Sequence, residues 1–223
     1  MVANAVDSIL LGLRPGETVL VEYSSVSSPE LLLYFMISKC SERGVQVLID
    51  DISDTFSEYV TRLDLMGLDT EGILKVPIIK IGGSRELGNV LGRVEVDKYA
   101  LDFKYYWAIH EKYRRTLPKG VICNPVLGIH KLFATFSEHD AIRLVRNIST
   151  FLGKKSRFAL YFINLNVMEK GAPDLLSLLE ETASTVLRWD FDGSEYRLSV
   201  IKAANYSIVG SKAYLSFRDI AGM

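Results

Sequence analysis

Short apolar runs of strand length alternate along the chain with segments of helical period, and this alternation predicts an α/β fold whose mainly parallel sheet is flanked by helices. The run Val45 to Ile49 is nearly all apolar, as expected of a strand covered on both faces. Towards the C-terminus the runs close up and Asp192-Gly193 offers a hairpin turn, so antiparallel strands are expected there. With 223 residues, 48% of them hydrophobic, the chain is read as one large domain over residues 1–223.

Thr18 to Val21 forms the first strand. Ser28-Pro29-Glu30 then supplies an N-cap, a proline at the first helical position and an acid in the first turn, and the helix stops near Arg43-Gly44. After the strand Val45 to Ile49, a helix from about Phe56 to Met66 aligns Phe56, Tyr59, Val60 and Leu63, with Gly67 as its cap. Gly82-Gly83, Gly88 and Gly92 mark turns between short strands. An aromatic helix spans Tyr99 to Leu117, and Val121 to Cys123 is a buried strand ending at Asn124-Pro125. Ser137 to Asp140 reads as the capping box of a helix that reaches Phe151. Arg157 to Asn164 is a strand, Pro173-Asp174 opens a short helix, and Thr185 to Trp189, Arg197 to Ile201 and Ala213 to Phe217 close the sheet.

Charge and composition remove several functional classes. The 26 basic and 27 acidic residues nearly cancel, so no global field draws the chain to nucleic acid or anionic lipid. No run approaches the roughly 20 apolar residues that span a bilayer, and the N-terminal stretch lacks the basic start of a signal peptide. The expectation is a cytoplasmic protein without membrane contact. Cys40 and Cys123 lack CxxC spacing and read as core thiols of a reducing compartment. His110, His130 and His139 have no ligand spacing, so neither a metal nor a cofactor is expected.

The segment GLRPGETVLVEYSSVSSPELLLYFM resembles the opening of a KaiC-type RecA domain, which implies a RecA-like fold. In that family a phosphate loop follows the first strand: glycine, four free positions, then glycine, lysine and serine or threonine. The pattern falls here on Tyr23, Ser28, Pro29 and Glu30, and all four positions differ. Pro29 offers neither an ammonium nor an N–H, and Glu30 sets a carboxylate where a polyphosphate would lie, a repulsion of several kcal/mol at about 4 Å in a partly buried site. The family's water-activating acids fall on Asp50-Asp51, which also read as a polar strand end capping the next turn. Its magnesium-associated aspartate falls on the neutral Asn124. Of the lysine and arginine that reach a neighbouring subunit's nucleotide, Lys202 is present and Ala204 replaces the arginine. The chain is also similar to a small family of uncharacterised proteins from hyperthermophilic archaea.

The resemblance therefore implies a catalytically inactive RecA/KaiC-like protein that serves as a binding or scaffolding module for a protein or peptide partner. A dimer is expected rather than a ring, because such rings bind nucleotide between subunits. The expected cleft comprises Tyr23, Ser24, Ser25, Ser27, Ser28, Glu30, Asp50, Asp51, Asn124 and Lys202. Its serines suit a small anion or a peptide backbone, and equally the making of a turn. An alternative is an accessory single-stranded nucleic-acid-binding protein of the recombinase-paralogue type, suggested by FKYYWAIHEKYRR at 103–115 and the basic run 143–157. Against it, Phe103, Tyr106, Trp107 and His110 form a core stripe at helical spacing, and Glu111 suits pairing with Arg115. A third reading, an enzyme of another class, requires Asp50 and Asp51 to face one pocket.

Overall fold

The structure, a computed structural model, describes residues 3–97, 100–118 and 120–222. Helix α1 (Ala3–Gly12) leads to strand β1 (Thr18–Tyr23) and helix α2 (Pro29–Glu42). Next come β2 (Gln46–Val47), β3 (Ile49–Ile52), α3 (Thr55–Leu65) and the single turn α4 (Glu71–Leu74). β4 (Pro77–Ile81) and β5 (Asn89–Val94) precede a small ribbon of β6 (Val96–Asp97) and β7 (Ala100–Leu101). α5 (Phe103–Arg114), β8 (Ile122–Leu127), α6 (Ile129–Thr135) and α7 (Glu138–Ser149) follow. β9 (Arg157–Asn164), α8 (Leu165–Gly171) and α9 (Pro173–Thr182) lead to β10 (Thr185–Phe191), β11 (Tyr196–Lys202), β12 (Lys212–Leu215) and α10 (Phe217–Ala221). The aromatic helix thus starts at Phe103, and Tyr99, its expected first residue, lies outside the described residues.

The main sheet has the order β12-β11-β10-β1-β9-β8-β3-β4-β5, with β2 paired beside β8. β1 lies between β9 and β10, parallel to both, and the antiparallel pairings of this sheet, β10 with β11 and β11 with β12, lie towards the C-terminus as the sequence predicts. Val19 and Val21 of β1 join a core with α1, α2 and α3, whereas Leu20 faces a second core built by α5 to α9. Leu31, Leu32 and Leu33 in α2 are all buried, because that helix packs under α3 and α10 as well as on the sheet.

Two strands extend further than their apolar residues suggest. β3 continues through Asp50 and Asp51 to Ile52, and β8 continues through Asn124 and Pro125 to Leu127. A proline in a central strand removes a ladder donor. Here the loss falls at the break between β2 and β3, and the Asn124 side-chain amide donates to the Leu48 carbonyl at 2.8 Å, while the Leu48 N–H bonds the Cys123 carbonyl. A side chain thereby replaces the missing main-chain donor. Gly92 lies inside β5 rather than in a turn, where a Cβ would meet Ile109 at 2.9 Å.

β4 and β5 are parallel although only residues 82–88 join them, far fewer than the dozen or so that such a return ordinarily takes. Gly82, Gly83 and Gly88 all have positive φ, which permits the tight path. The return folds against Asp54, which accepts from the Ser84 and Arg85 N–H groups. Asp54 and Asp51 both hold the Lys80 ammonium at 2.6 Å, and Lys80 is 1% exposed. Burial alone raises the Asp54 carboxyl, but Lys80 and the two N–H groups outweigh it and hold it at about 2.

Replacing Lys80→Met leaves Asp51 as an uncompensated buried carboxylate. The expected loss is ~3–5 kcal/mol, read as a lower denaturant midpoint at unchanged slope.

Candidate functional site

β1 ends at the C-terminal edge of the sheet beside β9, where its crossover helix α2 departs towards β3. Such strand ends are the usual ligand face of a doubly wound sheet. Residues 24–28 form the connecting loop. The Ser27 hydroxyl and N–H both bond the Ser24 carbonyl, the Ser25 N–H bonds Asn166, and buried Trp189 donates from Nε1 to the Ser27 carbonyl at 2.6 Å. Ser28 takes the N-cap position of α2 with a left-handed backbone, φ 46°, and its hydroxyl makes no capping bond. A non-glycine residue here is strained by of order 1 kcal/mol or more, so packing of the loop has to enforce it.

The loop borders a cleft of about 260 Å³. Tyr23, Ser25, Ser28 and Glu30 line one side; Glu58, Tyr59 and Arg62 of α3 face them, and His130 and Lys131 of α6 with Asn164 of β9 complete the wall. The charges are paired within the cleft. Arg62 Nε lies 3.2 Å from Glu30 Oε1, and Lys131 Nζ lies 2.9 Å from Glu58 Oε1 and 3.2 Å from the Ser53 carbonyl. Glu30 is 2% exposed, and its other oxygen, Oε2, has no hydrogen-bond donor. The Tyr59 hydroxyl lies 3.4 Å from that of Tyr23, whose ring meets His130 edge-on at 6.1 Å. Burial pushes the Tyr23 hydroxyl up to about 12 and the His130 imidazole down to about 4, so both are neutral at pH 7.

The remaining predicted site residues lie elsewhere. Asp50 and Asp51 are adjacent on a strand and point to opposite faces. Asp51 accepts from the Phe56 N–H at the start of α3 and from Lys80. Asp50 accepts from the Tyr106 hydroxyl and from Asn124, and Arg157 donates to both Tyr106 and Asn124. Burial raises the Asp50 carboxyl to about 6 against these donors. Asn124 is therefore a mid-strand member of a buried network. Lys202 donates to the Glu180 and Glu181 carbonyls at the end of α9. Ser24 and Ser27 shape the loop without lining the cleft.

Part of the aromatic and basic segments is used internally, while Lys104, Lys112, Arg115, Arg143, Arg146 and Lys155 are exposed. Trp107 stacks on His110 at 4.8 Å, Lys154 lies over the Trp107 ring at 4.2 Å, and Arg157 is buried over Phe151. Glu111 pairs with Arg114 rather than with Arg115. Cys123 is buried beside half-buried Cys40. Among the described residues no three His, Cys, Asp or Glu side chains are placed to hold a metal ion, and no helix is long and apolar enough to cross a membrane.

The profile of a family described as a Pyrococcus protein of unknown function, DUF257, matches residues 8–214. The chain belongs to this family. Among solved structures, the DUF257 chain is 34% identical to the Pyrococcus horikoshii OT3 protein PH0250, with a TM-score of 0.83 over 97% of this chain and 98% of that one. PH0321 of Pyrococcus horikoshii, solved in complex with an unknown peptide, is 14% identical with a TM-score of 0.69, over 98% of this chain and 95% of that one. The KaiC-like protein PH0186 of Pyrococcus horikoshii OT3 is 13% identical with a TM-score of 0.60, over 91% and 90%. The fold is RecA/KaiC-like. A comparison with curated proteins gives no match.

In the DUF257 chain, Tyr23, Ser25, Ser28 and Glu30 of the expected set line the cleft, and the opposite wall comes from residues outside that set. Tyr59 was legible only as a core position, and Glu58, Arg62, His130 and Lys131 carried no motif. Two outcomes test the geometry around β1. Trp189→Phe keeps a smaller aromatic ring and removes the donor to Ser27, with an expected loss of at least about 1–3 kcal/mol, since volume is lost as well, and faster amide exchange across 24–31. Glu22 precedes Tyr23 and points to the other face, where burial raises its carboxyl to about 7 despite Arg188. The folded state holds this proton more tightly than the unfolded one, so stability falls as pH rises from about 4.5 to about 7. In Glu22→Gln, unfolding midpoints across that window should flatten.

Proposed function

We propose that this protein is a binding module, a RecA/KaiC-like frame that accepts a peptide segment of a partner at the cleft beside loop 24–28 without turning over ATP. The observation that carries the reading is buried Glu30, at the position where the phosphate loop of the resembling family ends. A polyphosphate would meet this carboxylate, and the two cations on the wall already serve Glu30 and Glu58. Magnesium chemistry has no evident support in the same place, because Asp50, Asp51 and Asn124 are engaged within the sheet. A peptide suits the paired charges, the tyrosine rings and the serine hydroxyls better than a multiply charged anion does. That PH0321 of the same fold was crystallised with a peptide agrees with this reading.

Calorimetric titration with Mg-ATP and Mg-ADP should give no binding at micromolar concentration; micromolar binding that is lost on altering loop 24–28 would overturn the proposal. Peptides selected on the wild-type chain should lose at least tenfold in affinity on Val26→Trp, which fills the cleft from an exposed loop position. Unchanged affinity would place them elsewhere.

A further inference from the structure

Two buried acceptors of the cleft lack a donor. Glu30 is almost fully buried, yet only Oε1 has a partner, the Nε of Arg62. An unmet carboxylate oxygen in such a place has given up its water without gaining a protein donor. His130, 7% exposed, has Nδ1 without a partner. Its imidazole is held neutral by burial, and a neutral ring has one bare nitrogen acceptor. The Tyr23 ring lines the same cleft, edge-on to His130, with its hydroxyl beside that of Tyr59.

One cation already sits here. The Arg62 guanidinium carbon lies 5.1 Å from the Tyr59 ring centroid, and its Nε lies 3.2 Å from Glu30 Oε1. This is the pairing of aromatic face and carboxylate that holds organic cations. The occupant is loosely held, however. Arg62 is 43% exposed and leaves Oε2 unmet, whereas a compact ammonium offers three donors. The exposed Arg62 side chain can itself move into solvent, but buried Glu30 then requires another cation in its place.

We propose that the cleft recognises a primary ammonium group of its peptide, whether an α-amino terminus or a lysine side chain, by displacing Arg62 from Glu30 and seating the ammonium between the Glu30 carboxylate, the tyrosine pair and His130 Nδ1. The inference rests on the peptide-binding reading above and assigns its chemical class of ligand. It makes Arg62 a resident competitor whose departure opens the site.

Tetra-alanine amide with a free N-terminus, its N-acetylated form, and an N-acetylated peptide of the same length carrying one lysine separate the sources, with binding to the full chain followed by calorimetry or NMR shifts. At neutral pH the free-terminus peptide, the lysine peptide or both should bind at least tenfold more tightly than the neutral acetylated peptide. Whichever charged peptide gains identifies the source. Glu30→Gln should bring that ratio to about one, and Arg62→Ala should leave it or increase it. Equal binding of all three peptides to the wild-type chain would overturn the ammonium assignment and keep the peptide reading. Binding of none would overturn both. Should Glu30→Gln fold poorly, the comparison of peptides on the wild-type chain still decides the matter.

Discussion

The Lys80 ammonium, buried near the C-terminal end of β4, has to be neutralised inside the protein, and the way this is done organises one side of the sheet. Asp51 supplies one carboxylate from β3 and uses its other oxygen to accept the N–H of Phe56, which fixes where α3 starts. Asp54 supplies the second while gathering the N–H groups of the return from β4 to β5. A side chain at Gly83 would strike the Asp54 carboxylate, so the return can approach this closely only as glycine. Desolvating three charges is expensive, and their geometry is then strongly specified. Because α3 begins from this cluster, the positions of Glu58, Tyr59 and Arg62, and so the far wall of the cleft, follow from it.

The near wall has a different origin. A phosphate loop works by turning backbone N–H groups and a lysine onto an anion. Here the left-handed turn survives at Ser28, but the loop's polar groups are spent on its own serines, on Asn166 and on Trp189. Glu30 then brings a negative charge to the head of α2, where the helix dipole favours it. Together the two walls make a charge-paired cleft with two buried acceptors that lack a donor. The strands and crossovers beneath it are held by Val19, Val21, Leu31 and their neighbours in the core.

Much of this was legible in one dimension. Apolar period separated strands from helices, and Pro29, Gly67 and Asp192-Gly193 marked starts, stops and turns, because these are local conformational preferences that any neighbourhood of the chain expresses. The substitutions across the phosphate-loop pattern were equally local. Strand length was harder to read: Asp50-Asp51 and Asn124-Pro125 look like strand ends because polar residues and proline ordinarily terminate a sheet. Their continuation depends on partners far away in sequence, Lys80 for Asp51, Tyr106 for Asp50, and Leu48 and Arg157 for Asn124.

By itself, then, the sequence determined the α/β class, the order of its elements and the absence of a phosphate-loop pattern after β1, since each is written in residues close together. Tertiary structure alone decided which acids meet. It turned Asp50 and Asp51 to opposite faces, sent Lys202 to the end of α9, and brought Glu58, Arg62, His130 and Lys131 from two distant helices to Glu30. A cleft's electrostatics depend on distances through space, and nothing in the spacing of those residues encodes that they face one another.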